Sequence, residues 1–274
     1  MIRIVSTNGV PAHAFEWTWG QDGSRGCTVV AKATFSLREG RAELASRHEP
    51  IALRAIMTAD GARLVRPSDV VPFKKNVDVL VAGAPHRASP ERALRIEGRP
   101  LRLNDVSAVG PARPFAEGQR LSPEVGPADF QAVPIELQLE ALALPFELTL
   151  ENLVPRTASL KTTLPSLALR ARLDDSPVGS LALRVDTVVI DLEAVTCSVT
   201  FRGWQLVDAD RGPLLLQLED ASKVERMAHD DTMTKEIVAP WIEQPLPFAG
   251  APPPTERRAA EDPPIATHPR QRDT

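Results

Sequence analysis

Residues 27 to 38 carry the clearest pattern in the chain. Cys27, Val29, Ala31, Ala33, Phe35 and Leu37 alternate with Thr28, Val30, Lys32, Thr34, Ser36 and Arg38. Apolar residues at every second position predict a half-buried strand, with the second set facing solvent. Glu39-Gly40 follows as a turn, and Ala42 and Leu44 alternate with Arg41 and Glu43 on the expected return limb of a hairpin. Ile135, Leu137 and Leu139 repeat the alternation, and Leu142, Leu144, Phe146, Leu148 and Leu150 form a further single-faced limb. A third pair is expected from Val185 to Arg202, where Val195, Cys197, Val199 and Phe201 share one face. Shorter runs at 77–81, 94–103, 167–173, 181–185 and 214–218 pass the same test. Many short strands separated by turn residues predict an all-β fold, an antiparallel sandwich or distorted barrel.

Residues 1–218 form the expected β-domain, with 1–109 and 128–218 as candidate halves. The Pro- and Gly-rich stretch from Gly110 to Gly126 is the expected linker or long loop between them. A single helix is expected over 220–239, capped by Asp220 or Ser222 and carrying Val224, Met227, Ile237 and Val238, within a C-terminal segment 219–248. Beyond it, residues 249–274 are rich in proline and charge, and a disordered tail is expected.

Composition narrows the chemistry. Thirty-two Lys and Arg against 36 Asp and Glu, in 274 residues, leave a formal net charge of -4. That balance disfavours nucleic acid as a partner. No apolar run reaches the roughly 18 residues of a membrane span. The opening Met1-Ile2-Arg3-Ile4-Val5 passes straight into Ser6-Thr7-Asn8 without a signal-peptide core, so a cytoplasmic location is expected. Cys27 and Cys197 are far apart, form no Cys-x-x-Cys, and both lie on the apolar parity of their strands. They read as core side chains with raised pKa values.

Catalytic signatures are sparse. His13, His48, His86, His229 and His268 are scattered, and His229-Asp230-Asp231 is a solvated trio rather than a metal cage, so no metal or other cofactor is expected. No Gly-x-Ser-x-Gly elbow or phosphate loop is present. Trp17 and Trp19 share a face of an extended segment and suggest a sugar-stacking platform, or else an aromatic cap on a core. The densest polar constellation runs Ser68-Asp69-Val70-Val71-Pro72-Phe73-Lys74-Lys75-Asn76-Val77-Asp78. Asp69 and Asp78 would supply the two carboxylates of a carbohydrate-active domain, with Trp17 and Trp19 as the sugar platform. Lysines among those carboxylates instead favour a charge-paired loop that fixes strand entry without chemistry, and that reading predicts no enzyme.

The same segment carries a family resemblance. Val29 to Phe35, then Ser68 to Lys74, then Asp78 to Pro85, resemble the N-terminal signature of a bacterial family of unknown-function domains encoded beside the VgrG and PAAR spike proteins of type VI secretion systems. Leu148 to Leu153, Leu164-Pro165, Asp186 to Asp191 and Phe201-Arg202-Gly203-Trp204 follow the order of that family's C-terminal half. The family's longer middle section, rich in Gly, Asn-Pro and Trp, has no counterpart in residues 105–134. The resemblance implies a non-catalytic cytoplasmic adaptor or chaperone that binds a toxic effector, or a PAAR or VgrG-type spike component, and promotes its loading. It implies partner-binding or loop-ordering roles for Ser68, Asp69, Pro72, Phe73, Lys74, Asp78, Arg202 and Trp204. Separately, Trp241, Pro245, Leu246, Pro247 and Phe248 suggest a linear docking segment for a partner groove, or else a segment in which Trp241 and Phe248 fold back to cover an edge of their own domain.

Overall fold

The computed structural model describes residues 2–6, 8–21, 23–57, 64–83, 91–101, 113–173, 180–207 and 214–221. All of them belong to one compact unit, Met1–Met233. Of the expected helix at 220–239, Asp220 instead ends the strand Leu214–Asp220, and 222–239, like the docking segment Trp241 to Phe248 and the tail 249–274, lies outside the described residues.

The alternating runs become strands, and the fold is all-β. Up to Asp220 the helical elements among the described residues are two short 3-10 turns, Pro127–Phe130 and Ile135–Leu137. The largest sheet has eight strands and is built on Ser24–Ser36 and Thr196–Val207, which pair antiparallel over their whole length from Thr196↔Ser36 to Val207↔Arg25. Ala12–Trp19 flanks the first of these, and Arg184–Asp191 then Val77–Ala82 flank the second. Two further open sheets and a two-stranded pair, Ile56–Met57 with Leu64–Arg66, complete the described fold. One has five strands centred on Phe146–Glu151, and the other has four, including Ile2–Ser6 and Leu214–Asp220.

One continuous apolar cluster joins the three larger sheets. Val29, Ala31, Phe35, Val199 and Phe201 from the large sheet meet Leu94, Phe146, Leu148 and Leu164 from the five-stranded sheet and Leu169, Leu216 and Leu218 from the four-stranded one. This is the sandwich that the period-two pattern demands, because each sheet has one apolar face to bury. The pairing is not purely antiparallel. Ile2–Ser6 runs parallel to its neighbour, and Val77–Ala82 runs parallel to Arg184–Asp191.

Several expectations need correction. The halves 1–109 and 128–218 are not separate units, since each of the three larger sheets takes strands from both. Non-local pairing buries the apolar faces that neither half can cover alone. The described part of the expected linker, from 113 onward, is packed on the large sheet: Leu121 and Val125 are buried, and Arg120–Leu121 pairs with Thr18 and Trp19. The return limb after Gly40 is divided between sheets, with Gly40–Arg41 beside Thr162 and Thr163 and Glu43–Leu44 back against Phe35 and Ser36.

The alternation at 135–139 does not make a strand through Ile135. That residue is 67% exposed at the start of a 3-10 turn, and only Gln138–Leu139 joins the sheet. Gln138 is drawn inward, donating to the Val133 carbonyl at 2.7 Å and accepting from Asn76 at 2.8 Å. The next limb begins only at Phe146, after Pro145, which has no N–H to give a ladder.

Candidate functional site

Ser24–Ser36 is buried on both faces, where a half-buried strand was expected. Beneath its apolar parity lies the sandwich core. On the opposite parity Thr28, Val30, Lys32 and Thr34 are also buried, with Lys32 at 0% exposure. The register continues this second face across the sheet: Lys32 neighbours Thr200, Thr200 neighbours Thr187, Thr187 neighbours Asp78, and Asp78 neighbours Gln138. A row of polar side chains therefore crosses five strands with no access to water, and its hydrogen bonds have to come from covering segments.

Residues 68–76 form the central cover, a strap held by side chains instead of a strand ladder. Asp69 accepts from the Lys32 ammonium, from the Ala52 amide at 2.6 Å, and from the Thr200 hydroxyl at 3.5 Å. Arg202 pairs with Asp186 through Nε, and its two terminal nitrogens donate to the carbonyls of Val71 at 2.6 Å and Asp69 at 2.9 Å. Thr28 donates to the Pro72 carbonyl at 2.8 Å. Ser68 closes the start of the strap by accepting from the Val70 amide at 3.0 Å. The planar guanidinium fork thus grips two strap carbonyls and a carboxylate at once, which a lysine could not do.

Asp186 reaches Arg202 because the ladder slips between Val185 and Thr187, leaving it as an inserted residue opposite the Val185↔Phe201 and Thr187↔Thr200 pairs. A bulge of this kind re-aims a side chain without ending the strand.

At the far end of the strap, Lys74 donates to Asp78 at 2.7 Å and to Thr187 at 2.8 Å. Asp78, at 0% exposure, also accepts from Gln131 at 2.6 Å and from the Ala132 amide at 2.8 Å. Lys75 is exposed, and its amide donates to Gln131 at 2.9 Å. Three buried cations are thereby matched by three buried carboxylates, Lys32 with Asp69, Lys74 with Asp78 and Arg202 with Asp186. Burial pushes the Lys32 ammonium below its usual pKa, with the Asp69 carboxylate opposing that fall.

Phe73 anchors the strap in an aromatic cluster. Its ring lies 5.5 Å from those of Trp17 and Phe130, 5.8 Å from Trp204 and 6.2 Å from Trp19. Trp17 is 1% exposed, lies across Gly26, and donates its indole N–H to Thr28 at 2.9 Å. It is a core residue, so Trp17 and Trp19 do not form an open sugar platform. Asp69 and Asp78 are likewise occupied by partners from the chain itself.

Every described residue singled out in the 68–78 segment, together with Arg202 and Trp204, falls in this one layer. Sequence reasoning missed Lys32, Asp186, Thr200, Gln131 and Gln138. The available signal was Val30, an apolar residue on the supposed solvent face, in a run where Thr28, Thr34 and Ser36 replace the charges that a wet face would carry. Among the described residues no group of three or more His, Cys, Asp or Glu is placed to hold a metal. Cys27 and Cys197 are buried and unpaired, and burial pushes both thiols up to about 12.

An all-β sandwich with a side-chain-clamped strap over a buried polar sheet face is the class these observations define. The sequence profile of the family described as "Uncharacterized protein conserved in bacteria (DUF2169)" matches residues 22–135 and 111–202, well over half of the chain. The chain belongs to that family. No curated protein and no solved structure matches it. No helix among the described residues is long and apolar enough to cross a membrane.

Proposed function

We propose that this protein is a non-catalytic cytoplasmic adaptor that binds a type VI secretion effector, or a PAAR or VgrG-type spike component, and promotes its loading. The observation that carries the non-catalytic part is the saturation of the densest polar constellation. The Asp69 and Asp78 carboxylates are buried and taken up by Lys32, Lys74, Thr200, Gln131 and backbone amides. A carboxylate so enclosed is a poor general acid or base, because nothing presents it to a substrate. It serves instead to make a loop-rich surface rigid. Rigidity of that kind favours protein binding, since less ordering entropy is lost when a partner docks.

The link to secretion rests on the ordered resemblance of the strand, strap and hairpin motifs. Open sheets add a physical route to binding, because a sheet edge accepts a partner strand through backbone hydrogen bonds.

Tagged protein should co-purify with the products of adjoining spike and toxin genes, and its deletion should abolish export of one toxin while leaving the apparatus able to fire. Failure to retain any of those products, with export unchanged in the deletion strain, would refute the proposal.

A further inference from the structure

The segment that precedes the strap contains one group whose protonation its hydrogen bonding does not tolerate. Thr34, on the buried second face of the central strand, has all of its polar atoms engaged by residues 45–49 and by Ser198. Its carbonyl accepts from the Ala45 amide at 2.8 Å, and its hydroxyl oxygen accepts from the Glu49 amide at 2.9 Å and lies 3.0 Å from the Ser198 hydroxyl. Its amide N–H donates to His48 Nδ1 at 3.1 Å. An imidazole nitrogen accepts only when it carries no proton, so this last bond exists only with the neutral ring.

We propose that His48 is an acid-sensitive latch, whose protonation releases residues 45–52 from the central strand and uncovers the Lys32–Asp69 pair. The segment is tied down at three places: at Ala45, at His48 and Glu49, and at Ala52, which exchanges two bonds with Asp69, donating at 2.6 Å and accepting at 2.8 Å. Loss of the middle tie leaves a buried amide without an acceptor and an imidazolium facing it.

The charged groups on the surrounding elements offer that imidazolium little. Glu49, beside it, pairs with Arg66; on the strand beneath, Lys32 pairs with Asp69; across the sheet, Arg202 pairs with Asp186; and at the hairpin, Arg38 pairs with Glu43 at 2.9 Å. Burial holds the His48 ring below its usual value of 6.5. The sign follows: the open segment takes up a proton more readily than the closed one. The closed form has its full advantage above the ordinary imidazole value and loses it as pH falls below that value.

Hydrogen exchange of the full chain, corrected for intrinsic rates and compared between about pH 7.5 and about pH 5.5, tests the latch. Protection of peptides spanning 43–57 should fall on the order of fivefold at the lower pH, while that of 196–207 stays constant. His48→Asn, which keeps an acceptor oxygen but cannot titrate in this range, should remove the step. If that variant does not fold, a histidine NMR titration of the parent serves instead. His48 should then titrate below the ordinary imidazole value, and the Thr34 amide resonance should move with it. Unchanged protection of 43–57, an undiminished step in His48→Asn, or a Thr34 amide indifferent to His48 titration would each overturn the proposal.

Discussion

Replacing Arg202 with Met removes the fork that ties strap to sheet, and the structure sets the expected size of the effect. Arg202 is buried and makes three strong contacts, to the Asp186 carboxylate and to the carbonyls of Val71 and Asp69. Breaking a buried pair from one side strands its partner's charge and typically costs about 3–5 kcal/mol. The two carbonyls add roughly 1 kcal/mol each if no water replaces the guanidinium. These losses overlap, so about 4 kcal/mol is expected, a large share of the 5–15 kcal/mol that holds a typical domain together. For a domain of about 200 residues this lowers the melting midpoint by on the order of 10 °C.

The assay is urea unfolding followed by tryptophan fluorescence and by circular dichroism. Trp17 and Trp204 touch Phe73, so fluorescence reports on the strap, whereas dichroism reports on the sheets. Adding Asp186→Asn to Arg202→Met removes the stranded charge while leaving an acceptor for the Thr187 hydroxyl. The double variant should therefore recover about 2 kcal/mol of the single variant's loss. A single variant within about 1 kcal/mol of the parent, or a double variant no more stable than the single, would refute the claim that Arg202 and Asp186 form a coupled buried pair.

The remaining predictions follow from other points in the same layer. Lys74→Ala should cost roughly 3 kcal/mol in the same urea experiment because it strands Asp78, whereas Lys75→Ala, on the exposed neighbour, should fall within about 0.5 kcal/mol of the parent. Gly26→Ala places a Cβ 2.3 Å from the Trp17 ring, so it should destabilise by about 1–3 kcal/mol and shift tryptophan emission as the indole is displaced. With both thiols buried and pushed up to about 12, neither Cys27 nor Cys197 should react with a thiol reagent at about pH 8 until denaturant is added. Rapid labelling of the native protein would contradict their place in the core.

What the chain determined locally is visible in its spacing. Phe146, Leu148 and Leu150 against Glu147, Thr149 and Glu151, and Val188 and Ile190 facing Val199 and Cys197 across a hairpin, are period-two patterns that make a strand with one apolar face whatever its surroundings. The 68–78 segment was likewise legible as a charge-paired loop entering a strand, because Pro72 has no N–H for a ladder and Asp69, Lys74, Lys75 and Asp78 offer opposite charges to pair.

Tertiary structure alone decided which carboxylate meets which cation, and that the second face of the central sheet is dry. Lys32 and Asp69 are 37 positions apart, and Arg202 meets the strap carbonyls across more than 130. Alternation states which residues share a face, but whether that face meets water depends on segments distant in sequence that come to lie over it. A lysine on a strand reads as solvated until a carboxylate and a covering loop are found above it, and only the complete set of long-range pairings places them there.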